Sequence, residues 1–316
     1  MELKKLHKNL HSISFSIPEE KIVPIASISS LIGKKTKILS SLIPGNIKTY
    51  IYNTEEDYYN EYRKSFFATT TKKAGWDCMR HYEIIANGCI PYFPNIEQCP
   101  YRTMPLQLKE LFVKGNELFR SFNKKMINQN DLSLLSLDDI DKYKILLNEF
   151  LHYMTLHLTT TRMARYILEE TKFEDVSRIL YLSGDTSPDY LRCVTLHGFK
   201  LIFGENCHDY PKVPHIYKTD SINYKTLYGK GMTYSNLLDN RLHNNELDNN
   251  IENDIKNKYY DIVIYGSYHR GMPYYNLISS IYKPNEIILL CGEDIHKCNY
   301  KKWIDKGHNV FVRELV

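Results

Sequence analysis

Between residues 173 and 316, three short apolar runs each end in glycine and polar residues. They are 178–182 (RILYL) before Ser183, Gly184 and Asp185; 261–265 (DIVIY) before Gly266 and Ser267; and 286–290 (EIILL) before Cys291, Gly292, Glu293 and Asp294. Runs this short and apolar on both faces suit strands buried on both sides, which is the pattern of a parallel sheet covered by helices. A helix is expected over 188–199, a short apolar run over 200–203 ends at Gly204, and 310–313 closes the chain as a last strand. The fold class is therefore α/β. Ligands of such sheets sit outside the carboxyl ends of the strands, so the loops after Leu182, Tyr265 and Leu290 are the candidate surfaces.

The first part of the chain, 12–120, reads the same way. Segment 12–18 (SISFSIP) alternates and reads as a strand or extended lead-in, and 37–43 is apolar and ends at the turn pair Pro44 and Gly45. Residues 55–63 form a Tyr-rich acidic helix, and 65–70 (SFFATT) a buried strand. A helix over 78–87 ends at Gly88, and a strand over 89–93 follows. In the connector, Ser136 caps a helix with Asp139, and apolar residues recur at Ile140, Tyr143, Leu147, Phe150, Leu151, Met154 and Leu158. One or two long helices join the halves. A length of 316 residues fits domains over 1–135 and 173–316 with a helical connector over 136–172. The Asn- and Asp-rich 236–258 reads as a solvated loop or a frayed helix.

Composition excludes several classes. The net charge of +4 is too mild for a nucleic-acid stripe, and the basic residues cluster only in pairs such as Lys72 and Lys73. No segment approaches the roughly 18 apolar residues of a spanning helix. The N-terminus is charged without an apolar stretch, so no secretory signal is expected. Seven cysteines are an odd number in a chain of this size, which points to free thiols and a reducing, cytoplasmic setting. Cys291, His296 and Cys298 lack paired ligand knuckles, so no metal is expected. Neither a P-loop nor G-x-G-x-x-G occurs. The 26 tyrosines reflect either an AT-rich genome or a surface that stacks on sugars or bases.

The most informative segment is 75–91, GWDCMRHYEIIANGCIP. Arg80 and Glu83 lie three apart and share one helix face. A helix start near Arg80 turns free N–H groups and the positive dipole end toward an anion, and a guanidinium there suits a diphosphate. A carboxylate one turn later suits two ribose hydroxyls. Lys73 or Lys72 adds positive charge, and Gly88 allows a tight turn. The same spacing also fits an Arg–Glu pair on the surface of an amphipathic helix.

Arg80-His81-Tyr82-Glu83, followed by Ala86-Asn87-Gly88-Cys89-Ile90-Pro91, resembles the donor-site motif of exostosin-like glycosyltransferases. Segment 58–100 is similar to the donor half of glycosyltransferase-like proteins of bacteria and large viruses. The resemblance implies a GT-B fold, with two Rossmann-like domains facing a cleft and joined by long helices. It implies a sugar transferred from a nucleotide-sugar donor to a glycan or protein acceptor without a bound cofactor or metal. Glu83 would contact ribose and Arg80 the diphosphate. Many GT-B enzymes carry an acid about eight positions before the ribose Glu; here position 75 is Gly, and Asp77 is the nearest acid. The loops after the later strands, among them Tyr265 to Arg270 and Cys291 to His296, resemble the acceptor side. The halves then stand in reversed order, as in a permuted gene. An inverting transferase needs a general base; the candidates are Asp185, His269, Glu293 and Asp294. A protein that retains the fold but only binds nucleotide or glycan is the alternative.

Overall fold

The computed structural model describes residues 7–125, 132–220, 222–294 and 298–316. In chain order the strands are β1 (Leu10–Ser12), β2 (Lys37–Leu39), β3 (Ser65–Thr69), β4 (Ile90–Tyr92), β5 (Ile179–Leu182), β6 (Cys207–Tyr210), β7 (Ile262–Tyr265), β8 (Ile287–Cys291) and β9 (Asn309–Val312). The α-helices are α1 (Ile28–Gly33), α2 (Glu55–Arg63), α3 (Met79–Ala86), α4 (Lys109–Lys125), α5 (Leu137–His157), α6 (Thr160–Thr171), α7 (Tyr190–Phe203), α8 (Asn245–Lys256), α9 (Tyr275–Ile281) and α10 (Tyr300–Ile304). The protein is α/β, and the contacts divide it into two compact units. Among the described residues no helix is long and apolar enough to cross a membrane.

The small-sheet unit comprises Ile17–Tyr101 and Pro105–Thr159. Its three strands run parallel in the order β2-β3-β4, with α2 and α3 as the crossovers. The start of α2 is fixed by Thr54, whose side chain accepts from the Asp57 N–H, and by three acids in the first turn that suit the helix dipole. Phe66 and Phe67 on β3 pack edge-on against Tyr143 of α5 at 4.8 and 5.6 Å, and Phe67 also meets Phe122 of α4. The expected Ser136–Asp139 capping box starts α5. Residues 136–172 hold two helices, α5 in the small-sheet unit and α6 in the large-sheet unit, and the chain passes from one unit to the other between Thr159 and Thr160.

The large-sheet unit gathers Met1–Ser16, Arg102–Met104 and Thr160–Val316. Its six parallel strands follow the order β1-β9-β8-β7-β5-β6. Of 12–18, read as a strand or an extended lead-in, only Ser12 belongs to a strand, β1 (Leu10–Ser12), which pairs with β9 at the far end of the chain. From β5 the chain steps outward to β6 and then reverses to β7, β8 and β9, which is a doubly wound order with its reversal between β5 and β7. Strand residues alternate between two cores. Leu180, Val263, Leu289 and Val310 share one cluster with Ile251 and Ile255 of α8 and Ile278 of α9. On the other face, Tyr181 meets Phe199 of α7, and Phe311 meets Tyr166 of α6, each at 6.1 Å.

Three local expectations change. Residues 200–203 continue α7 instead of forming a run of their own. Within 236–258, Asn244 caps a regular helix, α8, that buries Ile251 and Ile255. Cys291 and Cys298 are disulfide-bonded, so the expectation of free thiols fails for this pair; Cys89, Cys193 and Cys207 are free thiols. His296 lies outside the described residues, and so do Ile295 and Lys297. Among the described tyrosines only Tyr101 and Tyr228 are exposed, so the tyrosine excess builds core more than a stacking surface.

Candidate functional site

In the small-sheet unit, β3 ends at Thr69, and the loop 70–78 leads back into α3 at the carboxyl edge of the strands. All eight residues of α3 are buried, so Arg80 and Glu83 are not a surface pair. Arg80 Nε donates to the Tyr50 hydroxyl at 3.2 Å, and its Nη1 donates to Thr70 Oγ1 at 3.3 Å. Glu83 Oε2 accepts from the Tyr58 hydroxyl at 2.7 Å, and Tyr58 and Tyr62 exchange a hydroxyl bond at 2.9 Å. Burial, and then the Glu83 charge, hold the Tyr58 phenol well above its ordinary value, so it stays a donor.

Around this pair, His81 is fixed by Thr70 Oγ1 at one ring nitrogen and by the Trp76 carbonyl at the other, both at 2.8 Å. Asp77 is buried and accepts from the Tyr82 hydroxyl at 3.1 Å. Lys73 is exposed, and its neighbour Lys72 lies over the Trp76 ring. Gly88 ends α3 with φ +66°, a left-handed conformation that glycine takes without strain. Tyr50, Tyr58, Tyr62 and Thr70 were not singled out in the sequence. The i,i+4 pair Tyr58 and Tyr62 on an otherwise acidic helix was the signal for two of them.

In the large-sheet unit, the loops after β5, β7 and β8 come together at the carboxyl edge. Gly184 lies so close to the next loop that a Cβ there would sit 2.4 Å from the Arg270 carbonyl oxygen. Asp189 joins the two loops. Its Oδ1 caps α7 by accepting from the Arg192 N–H at 3.0 Å, and its Oδ2 accepts from Arg270 Nε at 3.0 Å. Arg192 is fully buried and donates to the Asp185 carbonyl at 2.6 Å and to the Ser187 carbonyl. Asp185 feels burial pushing its carboxyl up, but the Ser187 N–H and the Arg192 and Arg270 charges outweigh it and hold it below the ordinary range.

His269 Nε2 lies 2.9 Å from Glu293 Oε1 and 3.7 Å from Asp189 Oδ2. Neither ring nitrogen makes an aligned hydrogen bond. Burial lowers the imidazole pKa and outweighs the pull of both carboxylates, which favours the neutral ring. Asp294 is engaged by Arg313, a fully buried arginine whose guanidinium stacks on Phe15 at 4.4 Å.

The expected residues thus fall into two groups. Arg80, Glu83, Asp77, Lys73 and Gly88 belong to the small-sheet unit, and Asp185, His269, Glu293 and Asp294 to the large-sheet unit. Asp189 and Arg192, which order the second group, had no role assigned from sequence; their i,i+3 spacing at a helix start was the available signal. Compared with family models, with curated proteins and with solved structures, the chain matches none.

Proposed function

We propose that the protein is a glycosyltransferase that moves a sugar from a nucleotide-sugar to a glycan or protein acceptor. The observation that carries the reading is the inward-turned Arg80 and Glu83 on α3, beside the carboxyl end of β3. The guanidinium suits a diphosphate, and the carboxylate suits a ribose diol. Asp77 and Gly88 shape the same segment, and Lys73 adds a nearby positive charge. In this reading the two units correspond to the Rossmann-like halves of a GT-B enzyme in reversed chain order.

His269 is the proposed base, with Glu293 Oε1 2.9 Å from its Nε2. Its neutral imidazole takes the acceptor hydroxyl proton as the acceptor oxygen bonds to the anomeric carbon. The bond from that carbon to the diphosphate oxygen breaks, and the nucleoside diphosphate leaves with the electron pair. Asp185 keeps its negative charge and fixes the loop that receives Arg192 and Arg270.

A specific observation favours the binding-only alternative: both ring nitrogens of His269 are buried. Arg80 and Glu83 already have partners in Tyr50, Thr70 and Tyr58, which a bound donor would have to share. Release of free nucleoside diphosphate from a panel of UDP- and GDP-sugars separates the readings. Turnover that disappears in His269→Gln supports transfer. Saturable binding without turnover supports the alternative.

A further inference from the structure

The outer edge of the large sheet holds a second polar cluster that the proposed chemistry does not use. On β6, Asp209 Oδ1 accepts from Lys200 Nζ of α7 at 2.7 Å, from the Tyr217 hydroxyl at 2.8 Å and from His243 Nδ1 at 2.9 Å. His243 Nε2 in turn lies 3.0 Å from Asp248 Oδ2 on α8. The other Asp248 oxygen takes His208 Nε2 at 2.8 Å, and His208 Nδ1 meets the Tyr260 hydroxyl. Lys200, His208, Asp209 and His243 are all buried.

Carboxylates accept and do not donate. A ring with a carboxylate oxygen at each nitrogen must therefore carry both protons, so His243 is an imidazolium. His208 differs: its Nε2–H serves Asp248, while Nδ1 accepts from Tyr260, so it is neutral. Two cations, Lys200 and His243, then face two carboxylates, Asp209 and Asp248. Of the remaining titratable neighbours, Asp254 of α8 acts on Tyr260, and the phenols and the thiol stay uncharged. Burial holds the Tyr217 and Tyr260 phenols above their ordinary value and pushes the Cys207 thiol up to about 12. On the surface nearby, Arg241 is exposed and is engaged by Asp239, and Glu205 is exposed.

The cluster pins the end of the long excursion between β6 and α8. Lys200 Nζ also donates to the Leu242 carbonyl at 2.6 Å, next to His243. The excursion is stitched internally by Leu237 N–H to the Ile216 carbonyl at 2.7 Å and Lys218 N–H to the Leu238 carbonyl at 2.8 Å. It carries Tyr228 and Tyr234 edge-on to Tyr190, at 5.5 and 4.6 Å. Tyr190 begins α7 and follows Asp189 directly.

We propose that His243 is the pin of a latch released by alkali: as an imidazolium it ties the excursion to β6 and α8, and loss of one ring proton frees the excursion from Tyr190. A neutral ring would aim a lone pair at a carboxylate oxygen about 3 Å away inside the protein, and an unpaired buried charge is costly. The Asp209 and Asp248 carboxylates outweigh burial and raise the His243 pKa above its ordinary value. A group raised on folding stabilises fully below its unfolded value of about 6.5, and that contribution fades as pH rises through the folded value.

Nitrogen-detected NMR of the His243 ring tests this in the wild-type chain. Both ring nitrogens should be protonated at pH 7, with one titration step above the ordinary histidine value. Hydrogen exchange at the Leu237, Lys218 and His243 amides, corrected for intrinsic rates, should lose protection across that step. The loss should be about tenfold for each unit by which the folded pKa exceeds the unfolded one. His243→Gln should start less protected and show no such step. A neutral ring at pH 7, or the same exchange step in His243→Gln, would overturn the latch.

Discussion

Gly198→Ala tests how the large-sheet unit holds α7, the helix that carries Asp189 and Arg192. Gly198 faces Thr160, the first residue of α6, so closely that a Cβ would lie 2.0 Å from the Thr160 carbonyl oxygen and 2.6 Å from its carbonyl carbon. Ordinary contact begins at 3.4 Å, so the two helices would have to part by more than 1 Å at this point. The obstacle is backbone and cannot rotate away. Separation would also pull apart the buried bond between Thr160 Oγ1 and His197 Nδ1, now 2.9 Å. Overpacking costs about 1–3 kcal/mol where side chains can shift, so about 3 kcal/mol is expected here. That corresponds to a fall in Tm of about 6–12 °C for a domain of this size. Urea and thermal unfolding followed by circular dichroism measure it. Gly33→Ala, whose Cβ would meet nothing within 4 Å, serves as the control. A loss below about 0.5 kcal/mol for Gly198→Ala would refute the close approach of the helices.

Two further outcomes are expected. Glu61 is buried and accepts from Lys37, Ser40, Ser41 and Tyr52; burial raises its carboxyl, but these donors outweigh it and bring the pKa to about 2. A lowered carboxyl stabilises above its unfolded value and stops doing so as pH falls. About 3 kcal/mol should therefore disappear between roughly pH 4.5 and pH 2, and Glu61→Gln should flatten that stretch of the acid-unfolding curve. Glu293→Gln removes a carboxylate 2.9 Å from His269, so the His269 pKa measured by NMR should fall below its already lowered value; no change would remove Glu293 from the proposed pair.

Local pattern carried much of the small-sheet unit. The helix 55–63, the strand before the loop and the turn at Gly88 were legible because each rests on apolar period, a cap or a glycine close in sequence. Strand β6 was not legible, because Cys207, His208, Asp209 and Tyr210 look polar until Lys200, Tyr217, His243 and Asp248 satisfy them. The same holds for α8, where Ile251 and Ile255 stand almost alone among Asn, Asp and Glu. The pairing of β1 with β9 joins residues about 300 apart, beyond the reach of any window reading. For the site, the residue types at Arg80 and Glu83 were visible. Their burial against Tyr50, Tyr58 and Thr70 was not, since it depends on how α2 and α3 fold over the strand edge.

The proposed function requires that a nucleotide-sugar bind at α3 through Arg80 and Glu83. Titration calorimetry with UDP- and GDP-sugars on the wild type and on Glu83→Gln measures this binding. Glutamine keeps an oxygen for Tyr58 but removes the charge, and circular dichroism verifies that the variant folds. Saturable binding of at least one donor by the wild type is expected, weakened at least tenfold in the folded variant. Equal affinity in both proteins, or no saturable binding of any donor by the wild type, would contradict it.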